Sequence, residues 1–366
     1  MKIENFISYE QPTNYIVHSD QYTKDGQIPV LTAGQSFVLG YTDEEDGIYT
    51  GEPVVIFDDF TTSVQYVDFP FKVKSSAMKI LKNKQNANIK FCYYLLSWLQ
   101  KMPPNHKRQW ISTTSQIDVN LPPIEWQKKI VQKIESVSNI IKYRKEELKK
   151  LDELVSARFV EMFGDPKINE KRWDSGIISD YYEVKGGKRI PKGMGYSCEV
   201  TTHPYLRATD MKNETIIDDD IHYIDDEVYE HIKRYTVKGG DIYLTNVGVN
   251  LGMAGVIPNK YDGANLTENA VKLVPKTDRV IDSRFLAHYI NSPGIQEYIN
   301  ERKMSVGVPK LAIFRIETMP LLVPPMDIQI QFVKFCLQVD KSKVAVKKAL
   351  DETQLLFDSL MQKYFG

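Results

Sequence analysis

The sequence predicts an α+β protein in which two mixed α/β blocks alternate with two long helices. The segment Leu-Pro-Pro-Ile-Glu-Trp-Gln at 121–127 returns at 323–329 as Val-Pro-Pro-Met-Asp-Ile-Gln. Phe163-Gly164 returns as Phe365-Gly366, again 202 residues later. An ungapped internal duplication of this kind indicates two related halves, and it suggests a molecule with pseudo-twofold symmetry.

Each copy of the repeat has the pattern of a long heptad helix, with prolines before it and a glycine after it. The a and d positions hold Ile130, Ile134, Val137, Ile141, Leu148, Leu151, Val155 and Met162, and then Phe332, Cys336, Val339, Val346, Leu350, Phe357, Leu360 and Tyr364. A helix of about 40 residues is roughly 60 Å long and cannot bury its own seam. We therefore expect the two helices to bury each other.

Three polar residues interrupt this seam, and we expect them to fix its register: Arg144, Lys343 and Thr353. The alternative is two unrelated amphipathic surface helices. That alternative is disfavoured because the flanking prolines, the glutamine and the terminal Phe-Gly repeat as well. The second copy ends the chain at Phe365-Gly366, and we expect that end to be complete and packed.

The blocks before the two helices, 1–120 and 166–322, both predict short strands followed by a helix. In the first block the strands are expected at 28–31, 53–57, 63–67 and 71–73, and the helix at 91–101. In the second block they are expected at 205–207, 241–244, 255–257 and 270–274, with one helix at 283–300. A shared order with little identity is expected of related scaffolds that carry divergent surfaces.

Composition limits the classes of protein to which this chain can belong. Its 366 residues carry a net charge of −1, which argues against indiscriminate binding of polyanions but leaves room for a local basic face. No run of 18 apolar residues predicts a membrane span, and the N-terminal residues lack a signal-peptide stretch. Cys92, Cys198 and Cys336 lie far apart, so we expect reduced, buried thiols in a cytoplasmic protein.

Basic residues cluster in loops that also contain glycine or proline. Lysine and arginine in such loops suit contact with phosphate, and planar side chains suit the edges of bases. The candidate DNA-binding residues are Lys101, Lys107, Arg108, Lys185, Lys188, Arg189, Lys192, Arg207, Lys233, Arg234, Arg302 and Lys303. The glycine-rich loop 185–193 is the best candidate, because glycine lets the backbone approach a phosphate closely. The alternative for each cluster is ordinary solvated surface charge.

The motifs of common catalytic sites are missing from the sequence. The glycines at 248–252 are not followed by Gly-Lys-Ser/Thr, no Gly-x-Gly-x-x-Gly follows a strand, and no histidine pair has metal-ligand spacing. Acidic clusters occur at 58–59, 218–220 and 225–226, where turns and surface positions are favoured over a metal site. The sequence therefore predicts no catalytic residues and no metal site.

Taken together, the repeated helices and the blocks between them resemble the specificity (S) subunit of type I restriction–modification enzymes. Residues 121–130 match the start of that family's helical region closely, and 323–329 match it more weakly. Gly239-Gly240-Asp241-Ile242-Tyr243-Leu244, followed by Val247-Gly248 and Leu251-Gly252, resembles the Gly-Asp-Ile strand and glycine turn of a target-recognition domain. Residues 28–41 resemble another variant, although 51–56 depart from the Gly-Asp-Ile form.

The resemblance implies two target-recognition domains of mixed α/β fold, separated by a pair of long antiparallel coiled-coil helices in a pseudo-twofold molecule. The domains are then 1–120 and 166–322, and the spacer helices 121–165 and 323–366. Each domain is expected to read one half of a bipartite double-stranded DNA target. The helices are expected to set the gap between the halves and to dock two modification (methyltransferase) subunits, joined by restriction (helicase-nuclease) subunits.

The resemblance also implies that this chain is not itself an enzyme and holds no cofactor. S-adenosylmethionine, ATP and Mg²⁺ are then expected in the partner subunits, and no membrane is involved. Two alternatives stay open at this point. One is a non-catalytic protein-binding scaffold with a coiled-coil core, and the other is a nuclease that uses the acidic clusters.

Overall fold

A computed structural model describes residues 1–32, 36–84, 86–100, 107–276, 280–304 and 307–366. The chain forms two compact units. Unit 1 comprises Met1–Glu146 and Val346–Gly366, and unit 2 comprises Glu147–Ala345. The division runs through both long helices, so each unit contains part of each helix. The domain boundaries expected at 120, 165 and 322 stay a prediction.

Unit 1 is built on two β-sheets. Its strands are β1 (Ile7–Glu10), β2 (Ile28–Leu31), β3 (Val38–Thr42), β4 (Val54–Asp58), β5 (Val64–Val67), β6 (Lys72–Val73) and β7 (Met78–Asn83), followed by helices α1 (Ile89–Leu99) and α2 (Ile124–Phe163). The larger sheet is antiparallel with the order β1-β7-β4-β5. The smaller has the order β3-β2-β6, in which β2 is antiparallel to β3 and parallel to β6.

Unit 2 contains more elements than unit 1. They are β8 (Asp174–Ile177), α3 (Ile178–Tyr181), β9 (Tyr182–Gly186), β10 (Pro204–Leu206), β11 (Met211–Lys212), β12 (Thr215–Ile216), β13 (His222–Tyr223), α4 (Asp226–Ile232), β14 (Ile242–Thr245), β15 (Ala254–Val256), β16 (Asn265–Leu266), β17 (Ala270–Pro275), α5 (Ser283–Asn291), α6 (Pro293–Arg302), α7 (Ile313–Glu317), β18 (Pro320–Val323) and α8 (Met326–Phe365). The sheet orders are β15-β14-β17-β9, β13-β10-β16, β11-β12 and β18-β8.

The two units share one strand topology. In the larger sheet β9, β17, β14 and β15 take the places of β1, β7, β4 and β5, and every pairing is again antiparallel. In the smaller sheet β10 is antiparallel to β13 and parallel to β16, as β2 is to β3 and β6. The duplication seen in the helices therefore extends through both blocks. Among the described residues, unit 2 adds the β8–β18 and β11–β12 pairs and the helices α3, α4, α6 and α7.

The two long helices form where the repeat predicts them, and α8 begins and ends 202 residues after α2. Gly164 follows α2 with a φ of 76°, the left-handed conformation of a helix stop. Within unit 1, Ile130 and Ile134 share a buried cluster with Met361. Within unit 2, the Phe163 ring centroid lies 5.4 Å from that of Phe332. In each unit, one end of one helix thus packs against the opposite end of the other.

The repeated glutamine of the first copy connects α2 to the domain helix α1. Gln127 is fully buried. Its Oε1 accepts a hydrogen bond from the backbone N–H of Asn88 at 2.8 Å, and its Nε2 donates to the carbonyls of Asn86 and Pro122 at 3.0 and 2.8 Å. Asn88 is the N-cap of α1, because its side chain accepts from the N–H of Phe91. The start of α1 is therefore fixed to the start of α2.

The second copy repeats this arrangement atom for atom. Gln329, also fully buried, accepts from the N–H of Asp282 at 2.8 Å and donates to the carbonyls of Val280 and Pro324 at 3.0 and 2.7 Å. Asp282 is the N-cap of α5. The glutamine of the Pro-Pro segment is thus a structural residue that satisfies three backbone groups in each unit.

Two sequence expectations were wrong. The single helix expected at 283–300 is two helices, because Ser292 has a ψ of 149° and Pro293, which has no N–H to donate, starts α6. Cys198 is exposed, whereas Cys92 and Cys336 are buried as expected. No helix among the described residues is both long and apolar enough to cross a membrane.

Candidate nucleic-acid interface

A cleft of about 350 Å³ opens on unit 2 beside the pair of strands β9 and β17. It is lined by Lys185, Gly186, Arg234, Tyr235, Thr236, Leu266 and Lys272, and we call it the basic cleft. The Nζ of Lys188 lies 5.8 Å from the centroid of the Tyr235 ring, in cation–π range. Of the residues predicted from the sequence, the structure thus brings Lys185, Lys188 and Arg234 together.

Lys272 is a cation of this cleft that the sequence analysis missed. It is the direct cross-strand partner of Lys185 in the β9–β17 ladder, so the two side chains lie on the same face of the sheet. Like charges in this arrangement destabilise a sheet. Glu183 at 2.9 Å from Lys185 and Asp241 at 3.5 Å from Lys272 offset part of the repulsion.

The glycine loop that follows β9 is held tightly against the segment 266–270. The N–H of Gly187 donates to the carbonyl of Ala270 at 3.1 Å, and the N–H of Lys188 donates to that of Leu266 at 2.8 Å. A Cβ at position 187 would lie 2.0 Å from the carbonyl oxygen of Thr267. Only glycine fits there, and this close approach sets the positions of the two residues that follow.

Arg189 is held by a carboxylate from the opposing segment. Its Nε donates to Glu268 Oε1 at 2.5 Å, although 78% of the arginine side chain is exposed. Burial raises the pKa of Glu268, but hydrogen bonds from Arg189 and Thr267 outweigh that effect and hold the pKa below its usual value. The pair is therefore ionised at neutral pH, and Glu268 is a second residue of this surface that the sequence analysis missed.

Arg207, also predicted to bind DNA, is occupied by contacts within unit 2. Its guanidinium donates to Asp210 at 2.7 Å and to Asp220 at 3.0 Å, and its Nη1 lies 3.2 Å from the ring of His222. Hydrogen bonds to the two carboxylates raise the pKa of Arg207 further above its already high value. Only 20% of the side chain is exposed. We infer that Arg207 braces the loop after β10.

The other predicted residues of unit 2 lie outside the lining of the basic cleft. Lys192 is exposed in the glycine loop, and Lys233 pairs with Glu230 at 2.6 Å. The Arg302 guanidinium lies 3.9 Å from the ring centroid of Tyr298. Lys303 donates to Asn300 at 2.7 Å. These contacts are those of surface residues at helix ends and in loops.

In unit 1, the predicted basic residues lie in one segment. Lys101 falls outside the residues that the structure describes. Lys107 is exposed, and the Nε of Arg108 is 4.0 Å from Oδ2 of Asp59. Asp59 is buried and also lies 3.2 Å from the Nζ of buried Lys79. Asp59 Oδ1 also accepts from the backbone N–H groups of Gln109 and Trp110 at 3.0 and 2.8 Å, so the buried pair anchors the chain just after Arg108.

One group of described residues has the arrangement of metal ligands. Ligand atoms of His18, Glu44 and Asp46 all lie within 4.8 Å of one another. The Nζ of buried Lys72 already donates to Glu44 at 2.6 Å, so an ammonium group supplies the positive charge there. The acidic cluster at 58–59 serves a turn, in which Asp58 accepts from the backbone of 60 and 61.

A family search identifies both halves of the chain. The model of the type I restriction modification DNA specificity domain matches residues 3–153 and 170–353. The Escherichia coli protein described as the type I restriction enzyme EcoR124I/EcoR124II specificity subunit is 29% identical over 368 residues. That alignment covers 96% of this chain and 88% of the E. coli protein.

Two solved structures share the fold over the whole chain. The S subunit of a type I restriction–modification system from M. genitalium superposes with a TM-score of 0.59 at 15% identity, covering 100% of this chain and 95% of that one. A chain from a study of complex assembly and conformational transition of the type I R-M system gives a TM-score of 0.58 at 15% identity, covering 100% and 99%. At this identity the likeness shows the fold alone.

Proposed function

Because this chain belongs to the family of the type I restriction modification DNA specificity domain, we propose that it is the specificity subunit of a type I restriction–modification complex. One observation carries the proposal. The family domain matches twice in one chain, and both matches have the same strand topology and a 40-residue helix. A protein with two such domains can read a bipartite DNA site. We expect it to act in the cytoplasm, where its DNA substrate is found.

In this proposal, each unit binds one half of the DNA target. On unit 2 the basic cleft supplies the electrostatic contact, since Lys185, Lys188, Arg234 and Lys272 converge on one face although the whole chain has a net charge of −1. Contacts to phosphate position a protein on the duplex, and a few side chains at base edges give specificity. Few contacts per unit are needed if partner subunits add to the binding.

The two long helices are the proposed spacer, an antiparallel coiled coil that fixes the distance between the two readers. Support comes from each unit, where the opposite ends of α2 and α8 share one core. Large apolar residues stay exposed along both helices: Trp126, Tyr143, Val344 and Leu355 are 61%, 65%, 70% and 70% exposed. Exposed aromatic and aliphatic residues of this kind fit docking of the two methyltransferase subunits.

The chemistry is assigned to the partners. We propose that the methyltransferase subunits hold S-adenosylmethionine and that the restriction subunits hold ATP and Mg²⁺, with this chain non-catalytic. The sequence motifs for such sites are missing here, and Lys185 and Lys272 of the basic cleft, like Arg207, are engaged in ion pairs rather than arranged around a nucleophile.

The cleft can be tested by removing its charges and varying the salt concentration. The triple variant Lys185→Ala, Lys188→Ala, Arg234→Ala is expected to weaken DNA binding by the complex reconstituted with methyltransferase subunits. The slope of log K against log salt should fall by roughly 2 to 3, because each lost phosphate contact contributes about 0.9. Fluorescence anisotropy on a duplex that carries the target measures both quantities.

A matched control removes the same charge elsewhere on unit 2. Lys171, Lys212 and Lys238 are exposed and lie outside the cleft lining, and their replacement by alanine should leave the salt slope nearly unchanged. Equal effects of the two triple variants would show that the cleft has no special role. A wild-type complex with no DNA affinity at all would instead favour a protein-binding scaffold.

A further inference from the structure

Arg189 differs from the other cations of unit 2 in how its hydrogen-bond donors are used. Arginine carries five N–H donors in a rigid planar fork. The Nε of Arg189 donates to Glu268, and within the described chain neither Nη nitrogen has a hydrogen-bond partner. One edge of the guanidinium is therefore held by the protein, and the other is open to solvent. Arg207 lacks such an open edge, because its Nε and both Nη nitrogens are engaged.

The carboxylate that holds Arg189 is itself fixed. Glu268 Oε2 accepts from the hydroxyl of Thr267 at 3.1 Å. The Tyr205 hydroxyl donates its one hydrogen to the carbonyl of Lys188 at 2.8 Å and lies 3.4 Å from Glu268 Oε2, which ties this network to the residue before Arg189. The guanidinium plane is thus oriented before any ligand binds, so less side-chain entropy is lost on contact.

The charge of Arg189 suits a base edge better than a phosphate. A carboxylate at 2.5 Å offsets its positive charge and would repel a phosphate nearby. Lys188 and Arg234, in contrast, have no ion pair with any residue in the described part of the chain. The two Nη nitrogens of Arg189 still present a pair of parallel N–H donors, and these match the O6 and N7 acceptors of guanine in the major groove.

We propose that Arg189, held by Glu268, reads a guanine in the half-site bound by unit 2, an inference that rests on the proposed function. The equivalent described positions of unit 1 do not repeat this pair. Arg189 stands three residues after β9, and the residue three positions after β1 is Thr13. Glu268 stands two residues after β16, and the residue two positions after β6 is Ser75. The contact therefore affects one half of the target only.

The test uses the full-length chain expressed with its methyltransferase subunits in a host without other DNA methylation. Methylome sequencing first gives the wild-type motif. In the Arg189→Ala complex, one G·C position in one half-site should lose discrimination roughly 10- to 100-fold, while the other half-site is unchanged. Glu268→Gln should weaken discrimination at the same position, because a neutral amide oxygen accepts from Arg189 more weakly than the carboxylate does. Arg284→Ala, at another exposed arginine of unit 2, is the matched control and should keep the motif.

If Arg189→Ala abolishes methylation, the motif cannot be read, and a binding measurement distinguishes base reading from phosphate contact. Anisotropy is then measured on four duplexes that differ only at the assigned position. A loss confined to the native G·C duplex supports base reading, whereas an equal loss on all four overturns it in favour of phosphate contact. An unchanged motif in the variant also overturns the inference and leaves the proposed function standing. A wild-type complex that methylates no bipartite motif counts against the proposed function itself.

Discussion

Replacing Gln329 by glutamate tests what the repeated glutamine does for each unit. The side chain is fully buried, and its Nε2 donates to the carbonyls of Val280 and Pro324 while its Oε1 accepts from Asp282. Glutamate has the same shape and can still accept from Asp282. Its carboxylate has no hydrogen to donate, so two carbonyl oxygens are left facing a carboxylate oxygen.

The expected cost follows from these three bonds. Two lost hydrogen bonds remove about 1 kcal/mol each, and the buried oxygens left without donors add about 1–3 kcal/mol. The helix N-terminus favours the new negative charge by about 0.3–1 kcal/mol. The net loss is about 3 kcal/mol, a large part of the 5–15 kcal/mol that typically stabilises a folded protein.

The loss should depend on pH. A protonated glutamic acid can donate one of the two hydrogen bonds, so the folded state raises the pKa of this group above its unfolded value of about 4.3. The variant is therefore closest to wild type below about pH 4.3. It loses stability as the pH rises from there through the folded pKa.

Hydrogen–deuterium exchange of the full chain, followed by urea unfolding, measures the effect. Gln329→Glu should speed exchange in α5, whose N-cap it holds, and not in α1. Gln127→Glu should do the reverse, which makes each copy the control for the other. Gln331→Glu places the same charge at an exposed position of the same helix and should be nearly neutral. The reasoning fails if Gln329→Glu unfolds like Gln331→Glu, or if α1 and α5 respond equally.

Two further predictions concern unit 2. Gly187→Ala should lower the free energy of unfolding by about 2 kcal/mol or more and weaken DNA binding, because the added Cβ would clash with the backbone of Thr267. Gly195→Ala is the control: a Cβ there has open space, so urea unfolding and DNA anisotropy should both match wild type. Burial disfavours the charge of His288, but hydrogen bonds to Cys336 and Glu214 prevail and raise its pKa to about 10. Stability from this charge is present below about pH 6.5 and is lost as the pH rises through 10, so His288→Gln should flatten the decline of the urea midpoint over that range. A variant with the wild-type slope would refute this assignment.

The long helices could be predicted closely because their signals are local. Prolines before each start, a glycine after Phe163 and an apolar seam specify helix boundaries without tertiary information, and the observed helices begin at Ile124 and Met326. The helix expected at 283–300 failed for a local reason as well. Pro293 has no N–H to continue the helix begun at Ser283, so a new helix starts there.

The roles of the cations could not be predicted, because they depend on residues distant in the chain. Arg189 and Arg207 both lie near glycine-containing or strand-end loops, and the sequence treats them alike. What separates them is Glu268, which is 79 residues from Arg189, and Asp220, which is 13 residues from Arg207. Strand pairing also decides that Lys272 faces the cleft beside Lys185. Such pairings arise only when the sheet forms.

The division of both helices between the units has a consequence for how the protein is made. Unit 1 needs Val346–Gly366 to complete its core, in which Phe365 lies 5.2 Å from Phe91 between ring centroids, whereas unit 2 is one continuous stretch of chain. Domains usually fold in order of synthesis, at about 5–20 residues per second. Here the unit begun first is finished last. Synthesis from residue 146 to the last turn of α8 takes roughly 10–40 s. During that time part of the apolar surface of unit 1 stays exposed, because the segment that covers it has not yet been made.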